Sequence, residues 1–262
     1  MGTELVGYET RNSAAIVTLN SPQTRNALSV PMVDAILAAL QRAEKDSNVR
    51  ALILTGSESA FSAGLDLKEL QRALDGLKFD KDGGALWDDA FRGEQLIDRL
   101  YRFPKPTIAA VNGAAAAAGA ALVSACDMAV AEPGARIGYP ELRRGLQAGM
   151  VLIHLMRLVG ERQARFLVLT GELIAADRAK AIGLINDVVP HDELMATAMK
   201  WAASVAMNAP KAETITKALL EKFSAQAVSM KMAEYKEAPH LTDECRAGLE
   251  AFFQKRPAPW TV

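Results

Sequence analysis

The sequence has few of the residues that form disulfide frameworks and metal sites. Its 262 residues include only 2 cysteines and 3 histidines. Cys126 and Cys245 do not form a series of spaced pairs, and His154, His191 and His240 lack the spacing of a metal site. The N-terminal residues also lack the pattern of a signal peptide. We therefore expect reduced thiols, a cytoplasmic location and no bound metal.

A basic excess and a long apolar run are also missing. Lys and Arg together number 30 against 31 for Asp and Glu, and the strongest basic cluster, Arg143-Arg144, is too short to bind a phosphate backbone alone. No apolar run reaches the length that a bilayer requires. We therefore expect neither a nucleic-acid partner nor a membrane partner. The near-zero net charge favours self-association.

Short strands and helices alternate along most of the chain. The first twenty residues predict a β-hairpin, Ser29 is expected to cap the following helix, and residues 49–56 predict a buried strand. Strand–helix units then recur at loosely similar intervals as far as a return strand at residues 187–189. This alternation is typical of an α/β fold.

The last quarter of the chain has a different pattern. From His191 onward, the spacing of the apolar residues predicts amphipathic helices only. We therefore divide the chain into a core over residues 1–195 and a helical C-terminal region over residues 196–262. The polar, glycine-rich segment at residues 74–89 is the one most expected to be mobile.

Three separate segments place backbone N–H groups or a carboxylate at the start of a predicted helix. They contain Gly64-Leu65, Ala118-Gly119 and Glu141. Helix N-termini carry unpaired N–H donors and a partial positive charge. Two such ends that converge would form an oxyanion hole, which holds a carbonyl oxygen as it becomes negative.

A run of small residues surrounds the second of these segments. Eight of the nine residues from Ala114 to Leu122 are Ala or Gly. Such a run is most often a tightly packed helix. Small residues, however, also let a substrate carbonyl come close to the backbone.

Five segments, in order along nearly the whole chain, carry a resemblance to a known family. They are RNALS at 25–29, FSAGLDLKEL at 61–70, VNGAAAAAGAALVSACD at 111–127, IGYPE at 137–141 and FQKRPAPW at 253–260. Together they resemble the crotonase superfamily, the enoyl-CoA hydratases and isomerases. The resemblance implies a crotonase-like spiral of ββα units with a C-terminal helical oligomerisation region, assembled as a homotrimer or a dimer of trimers. It also implies an acyl-CoA thioester substrate, with no cofactor beyond the coenzyme A of that substrate.

The resemblance also implies roles for particular residues. Leu65 and Ala118 would supply the two N–H donors, and Glu141 would be the catalytic acid or base. The residues implied to contact coenzyme A are Arg25, Ala63, Asp66, Leu67, Lys68, Gly119 and, from a neighbouring subunit, Lys255.

One position departs from the two-carboxylate hydratases of this family. Those enzymes carry one glutamate in the small-residue helix, where this chain has Ala121, and a second at the place of Glu141. A lone carboxylate suits transfer of a proton between two carbons of an enolate, which favours an enoyl-CoA isomerase. A hydratase or another enolate-forming reaction stays open, with Asp88, Asp89 or Tyr139 as candidate partners of Glu141. A CoA-binding paralogue without turnover also stays open.

A base at position 141 needs a pKa raised towards neutrality. Burial against an acyl pocket raises the pKa of a glutamate, whereas the start of a helix lowers it. We expect burial to dominate, since the helix contributes only about 0.3–1 kcal/mol at an exposed site.

Overall fold

The computed structural model of the chain describes residues 4–76, 84–225 and 243–257. The strands within them are β1 (Val6–Arg11), β2 (Ala14–Leu19), β3 (Ala51–Gly56), β4 (Ala60–Ser62), β5 (Thr107–Val111), β6 (Ala114–Ala116), β7 (Met128–Ala131), β8 (Arg136–Gly138), β9 (Leu173–Ala175) and β10 (Asp187–Val188). The α-helices are α1 (Val30–Lys45), α2 (Leu67–Gly76), α3 (Gly84–Tyr101), α4 (Ala118–Ala125), α5 (Gly149–Thr170), α6 (Ala176–Ala181), α7 (His191–Ala206), α8 (Pro210–Ala225) and α9 (Asp243–Phe253). Short 3-10 helices cover Pro22–Thr24 and Glu141–Arg144.

The strands form two sheets whose order shows a repeated ββα unit. The larger sheet has the order β1-β2-β3-β5-β7-β10, and the smaller has the order β4-β6-β8-β9. Only the β1–β2 and β8–β9 pairs among these are antiparallel. Each of β3-β4, β5-β6 and β7-β8 places one strand in each sheet before a helix follows, so the chain advances as a spiral. The predicted spiral of ββα units is confirmed.

Both faces of the inner strands of the larger sheet are buried, which explains their continuous apolar sequences. One face packs against α1 and α4, and α3 and α5 pack against these helices in the main core cluster. The other face packs against Leu194, Ala198 and Ala202 of α7. The predicted boundary between residues 195 and 196 therefore falls inside a helix that covers the sheet. The division of the chain there, and the oligomerisation role of the C-terminal region, stay predictions.

The run of small residues is not one continuous helix. Ala114–Ala116 form β6, which pairs with β4 on one side and with β8 on the other. Ala117 then turns the chain with φ 51° and ψ −124°, and α4 begins only at Ala118.

Other local predictions have mixed outcomes. The N-terminal hairpin is confirmed, and so is the cap of α1, where Met32 N donates to Ser29 Oγ at 3.3 Å. The short strand β9 was not expected, because its apolar run Leu173–Ala175 is too short to tell a strand from a helix. Most of the segment predicted to be mobile, residues 74–89, lies outside the described residues or has side chains outside them. None of the helices in the described ranges has the length and apolarity to cross a membrane.

Candidate active site

A cavity of about 380 Å³ lies where the starts of α2 and α4 meet the 3-10 helix Glu141–Arg144. One side is formed by main chain at residues 63–65 and 116–118, here called the backbone wall. Another part of the lining comes from the segment at residues 140–144, here called the acid wall. Apolar side chains form much of the remaining lining; they belong to Leu146, Ala148, Met150, Val151, Phe252 and Phe253. The three segments singled out from the sequence therefore meet in one place.

The backbone wall leaves the N–H group of Leu65 free. On either side of it, Leu28 N donates to Gly64 O at 2.7 Å and Asp66 N donates to Leu28 O at 3.3 Å. These bonds hold the segment against Leu28 in a parallel bridge. Among the described residues, nothing accepts a hydrogen bond from Leu65 N.

The N–H group of Ala118 is free for a different reason. Ala118 is the first residue of α4, so its N–H precedes the helical hydrogen-bond ladder. Both main-chain groups of the preceding residue, Ala117, are hydrogen-bonded. Ala117 N donates to Gly138 O at 2.9 Å, and Ala117 O accepts from Ala121 N at 3.0 Å. Within the described ranges, Ala118 N likewise has no acceptor.

Two glycines bring these free donors close together. Gly64 has φ +87°, and a Cβ built on it would lie only 3.2 Å from Ala118 N. A Cβ on Gly119 would lie 2.3 Å from the Ser62 carbonyl oxygen, so only glycine lets α4 approach β4 this closely. Since Leu65 directly follows Gly64, its N–H and that of Ala118 lie on adjoining segments of one wall. A substrate carbonyl oxygen in this cavity would meet two preformed donors.

Glu141 supplies the titratable group of the acid wall. It follows Pro140 as the first residue of the 3-10 helix and is 8% exposed. Its Oε2 is buried with no hydrogen-bond partner among the described residues. Burial raises the pKa of Glu141 to about 7, against smaller lowering effects from a backbone hydrogen bond and from Arg144. This is the direction expected from the sequence, and it suits a base that works near neutral pH.

No second buried carboxylate faces the cavity in the part of the chain that the structure describes. Ala121 is fully buried in the core and does not line the cavity. The only other acidic lining residue there is Asp66, whose Oδ1 caps α2 by accepting from Lys68 N at 2.8 Å and Glu69 N at 3.2 Å. Nor do the described residues contain a cluster of His, Cys, Asp and Glu side chains that could hold a metal ion.

None of the three residues proposed from the sequence as partners of Glu141 is seen in the described lining of the cavity. The Tyr139 hydroxyl is buried 2.7 Å from Ser124 Oγ, and burial raises its pKa. Tyr139 does not line the cavity, so it is not placed to hold a water there. The side chains of Asp88 and Asp89 lie outside the described residues.

The residues implied to contact coenzyme A fall into two groups. Five of them line the same cavity as the two free N–H groups: Arg25, Ala63, Asp66, Leu67 and Lys68. Gly119 is buried behind the wall, where it packs against Ser62, and Lys255 is exposed just beyond α9, away from the lining. The contact implied for Lys255 is with coenzyme A bound in the site of a neighbouring subunit. All these contacts stay predictions.

Arg144 and Phe252 are among the lining residues that were not identified as site residues from the sequence. Arg144 was noticed only as half of a basic pair, and Phe252 comes from α9, more than a hundred residues further along the chain. A doublet of arginines directly after the Pro-Glu motif was the available signal for the first. Nothing local in the sequence indicates that α9 folds over this cavity.

Comparison with known proteins agrees with the geometry. A family model described as enoyl-CoA hydratase/isomerase matches residues 9–262. A putative enoyl-CoA hydratase of Thermus thermophilus is 40% identical over 250 residues, covering 94% of this chain and 97% of the relative. A 2,3-dehydroadipyl-CoA hydratase of Escherichia coli is 35% identical, with 92% of each chain covered.

Solved structures give the same result. The crystal structure of an enoyl-CoA hydratase/isomerase from Xanthobacter autotrophicus Py2 matches with a TM-score of 0.81 and 32% identity, covering 98% of this chain and 99% of that one. Another, from Mycobacterium paratuberculosis, matches with a TM-score of 0.82 and 27% identity over 95% of this chain and 98% of that one. The chain belongs to the enoyl-CoA hydratase/isomerase family of the crotonase superfamily, whose enzymes act on acyl-CoA thioesters.

Proposed function

We propose that this chain isomerises the double bond of an enoyl-CoA, with Glu141 as the single base. The observation that carries the proposal is the pairing of one buried carboxylate, whose pKa is about 7, with two unengaged backbone N–H groups across one cavity. The substrate thioester would place its carbonyl oxygen on the backbone wall and its acyl carbons next to Glu141.

The two walls act on the same step. A proton on the carbon beside the thioester is weakly acidic until the carbonyl oxygen can accept negative charge. Hydrogen bonds from Leu65 N and Ala118 N stabilise that charge, each contributing about 2.7–4 kcal/mol to the transition state. Glu141 removes the proton from C2 of a 3-enoyl thioester, the double bond shifts, and the same carboxyl returns the proton at C4. The product is the 2-enoyl thioester, and Glu141 ends unprotonated, as it began.

Arg25 and Lys68 are proposed to contact the phosphates of coenzyme A. Both are exposed cations of the cavity lining and lie beside the backbone wall. This places the nucleotide end of the substrate outside and the acyl end inside, next to Glu141. The homotrimeric or hexameric assembly is proposed on the family resemblance alone, and the cytoplasmic location on the low cysteine content.

A second candidate function is hydration of a 2-enoyl-CoA. It is favoured by the names of the relatives, which include a 2,3-dehydroadipyl-CoA hydratase at 35% identity. Hydration needs a water held between Glu141 and another polar group. Gln147, which lines the cavity on the segment after the acid wall, is a candidate for that group among the described residues.

Product identity separates the two reactions. The purified protein is incubated with 3-enoyl-CoA and, separately, with 2-enoyl-CoA in deuterated water, and the products are analysed by mass spectrometry. Isomerisation predicts interconversion of the two, with deuterium at carbon only to the extent that the Glu141 carboxyl exchanges its proton with solvent before returning it. Conversion of only the 2-enoyl substrate, to a 3-hydroxy product, would overturn the isomerase proposal in favour of hydration. If neither substrate reacts while calorimetry shows acyl-CoA binding, the chain is a binding paralogue without turnover.

A further inference from the structure

Arg144 is a half-buried cation of the acid wall whose hydrogen-bonding capacity is largely unused. Its guanidinium lies over the ring of Phe252, with Cζ 5.1 Å from the ring centroid. Its Nη1 reaches the Pro140 carbonyl oxygen only at 3.4 Å. Its Nε is buried and has no acceptor among the described residues.

This arrangement is costly for a cation. Burial lowers the pKa of Arg144, while Glu141 raises it without forming an ion pair in the described part of the chain. A desolvated guanidinium with free donors is unfavourable unless an anionic oxygen approaches it. Because Arg144 lines the cavity itself, the missing acceptor has room to enter with the substrate.

A second cavity that Arg144 also lines carries further positive charge. This cavity of about 410 Å³ shares Arg25, Ala63 and Arg144 with the first and is also lined by Arg143 and Arg256. No acidic side chain is among its described lining residues. The combined field of these arginines favours an anion at the junction of the two cavities.

Two of the other three arginines already have acceptors for their donors, and the third, Arg25, is exposed to solvent. Arg143 donates from Nε and Nη2 to the Thr170 carbonyl oxygen at 3.2 and 2.9 Å. Arg256 donates to Gln254 Oε1 at 2.7 Å and lies 3.5 Å from Glu250. Arg144 is therefore the cation best able to bind a ligand oxygen directly.

We infer that Arg144 binds a carboxylate at the end of the substrate's acyl group, so that this site takes thioesters of dicarboxylic acids. The inference rests on the proposed function for the placement of the thioester. Arg144 lies three positions after Glu141 on the same 3-10 helix. Residues three apart on a 3-10 helix lie on one face, about 6 Å apart along the axis, so Arg144 lies on the same side of the cavity as Glu141. The phosphates of coenzyme A would lie at the other end of the substrate, beside Arg25 and Lys68.

Binding of unreactive thioesters tests the inference independently of turnover. Succinyl-, glutaryl- and adipoyl-CoA are compared by calorimetry with butanoyl-, pentanoyl- and hexanoyl-CoA, each pair differing only in the terminal carboxylate. The wild type is expected to bind at least one dicarboxylic thioester about tenfold or more tightly than its partner, as for a hydrogen-bonded charge pair. Arg144→Met should abolish the preference while leaving binding of the uncharged thioesters within about threefold. Arg165→Met, which removes an exposed arginine paired with Glu161, should keep the preference.

Truncated thioesters separate an acyl carboxylate from a phosphate as the bound anion. The same acyl pairs are prepared on pantetheine, which lacks the phosphates of coenzyme A. The preference and its loss in Arg144→Met should both persist there. If Arg144→Met weakens both members of a pair equally on coenzyme A and has no effect on pantetheine thioesters, the anion is a phosphate and the inference is wrong. It is equally wrong if the wild type shows no preference in any pair. A preference that depends on Arg144, without turnover of any enoyl-CoA, would instead overturn the proposed function alone.

Discussion

The two walls of the cavity are built on different physical principles. The backbone wall, at residues 63–65 and 116–118, offers only main-chain donors, and their positions depend on how closely α4 approaches β4. The acid wall, at residues 140–144, offers ionisable side chains, and their behaviour depends on burial. The first wall is therefore sensitive to added volume, and the second is sensitive to charge and pH.

This contrast also explains the long run of small residues. The donors at Leu65 and Ala118 gain their position from contacts that a single Cβ would disrupt, since a Cβ built on Gly119 would lie 2.3 Å from the Ser62 carbonyl oxygen. Glu141, in contrast, needs no special backbone. It needs an apolar surrounding that raises its pKa and leaves Oε2 unpartnered.

Glu141→Gln is expected to have the largest effect, because it removes the only buried carboxylate among the described lining residues while preserving shape. Loss of general-base catalysis should lower kcat by about 10²–10⁴-fold. Acyl-CoA affinity, measured by calorimetry, should stay within a few-fold because the backbone wall is unchanged. The exposed carboxylate of Glu161 offers a control, and Glu161→Gln should leave kcat unaltered. Near-normal turnover by Glu141→Gln on every substrate tried would remove Glu141 from the mechanism.

Gly119→Ala tests the backbone wall without touching any ionisable group. Its new Cβ cannot fit 2.3 Å from the Ser62 carbonyl oxygen, so α4 and β4 must separate. We expect a loss of about 1–3 kcal/mol in the free energy of unfolding. We also expect a fall in kcat of up to about 10²–10³-fold, since loss of one oxyanion donor has that effect. Chemical denaturation and steady-state kinetics measure the two.

The matched control is Gly134→Ala, in the turn between β7 and β8. A Cβ at Gly134 would meet only Glu132 Oε1, at an ordinary 3.5 Å. Its stability and kcat should therefore change little. If Gly119→Ala behaves like Gly134→Ala, then close packing of α4 on β4 does not position the donors.

Much of the backbone wall could be predicted from the sequence. Gly64 and Gly119 lie in segments whose small residues and order along the chain resemble a known family, and these segments do meet. The division of the alanine run into β6 and α4 could not be predicted, because Ala has a weak preference against strands and the pairing of β6 with β4 and β8 decides the outcome. Tertiary pairing overrides local propensity at that point.

The acid wall was predictable only in part. The Pro-Glu motif identified Glu141, and burial was expected to dominate its pKa. The location of Arg144 could not be predicted, because its contacts are with Phe252 on α9, a helix distant in sequence. A charged residue in a short helix is usually exposed to solvent. The partial burial of Arg144 is therefore known only from the structure.

The pH dependence of stability should distinguish the walls further. The pKa of Glu141 is raised from 4.5 to about 7 by folding, so the folded state binds this proton more tightly than the unfolded state. The contribution of protonated Glu141 to the free energy of unfolding is fully present below pH 4.5 and is lost as pH rises through about 7. Compared with Glu141→Gln, the wild type should lose up to about 3 kcal/mol across that interval. Denaturant melts of both proteins between pH 4.5 and 8 test this, and parallel curves would show that Glu141 titrates normally.

Arg144→Met should have the smallest effect, a shift in the pH dependence of kcat/KM on an uncharged enoyl-CoA. The charge of Arg144 lowers the pKa of Glu141 and so partly opposes the effect of burial. Removing that charge leaves burial unopposed by the guanidinium, so the pKa of Glu141 rises and the acidic limb of the profile moves to higher pH. Arg165→Met removes an exposed arginine far along α5 and should leave the limb in place. The acidic limb of the kcat/KM profile could instead stay at the same pH in Arg144→Met, with an unchanged plateau. That result would mean that Arg144 and Glu141 do not interact and that burial alone raises the pKa of Glu141.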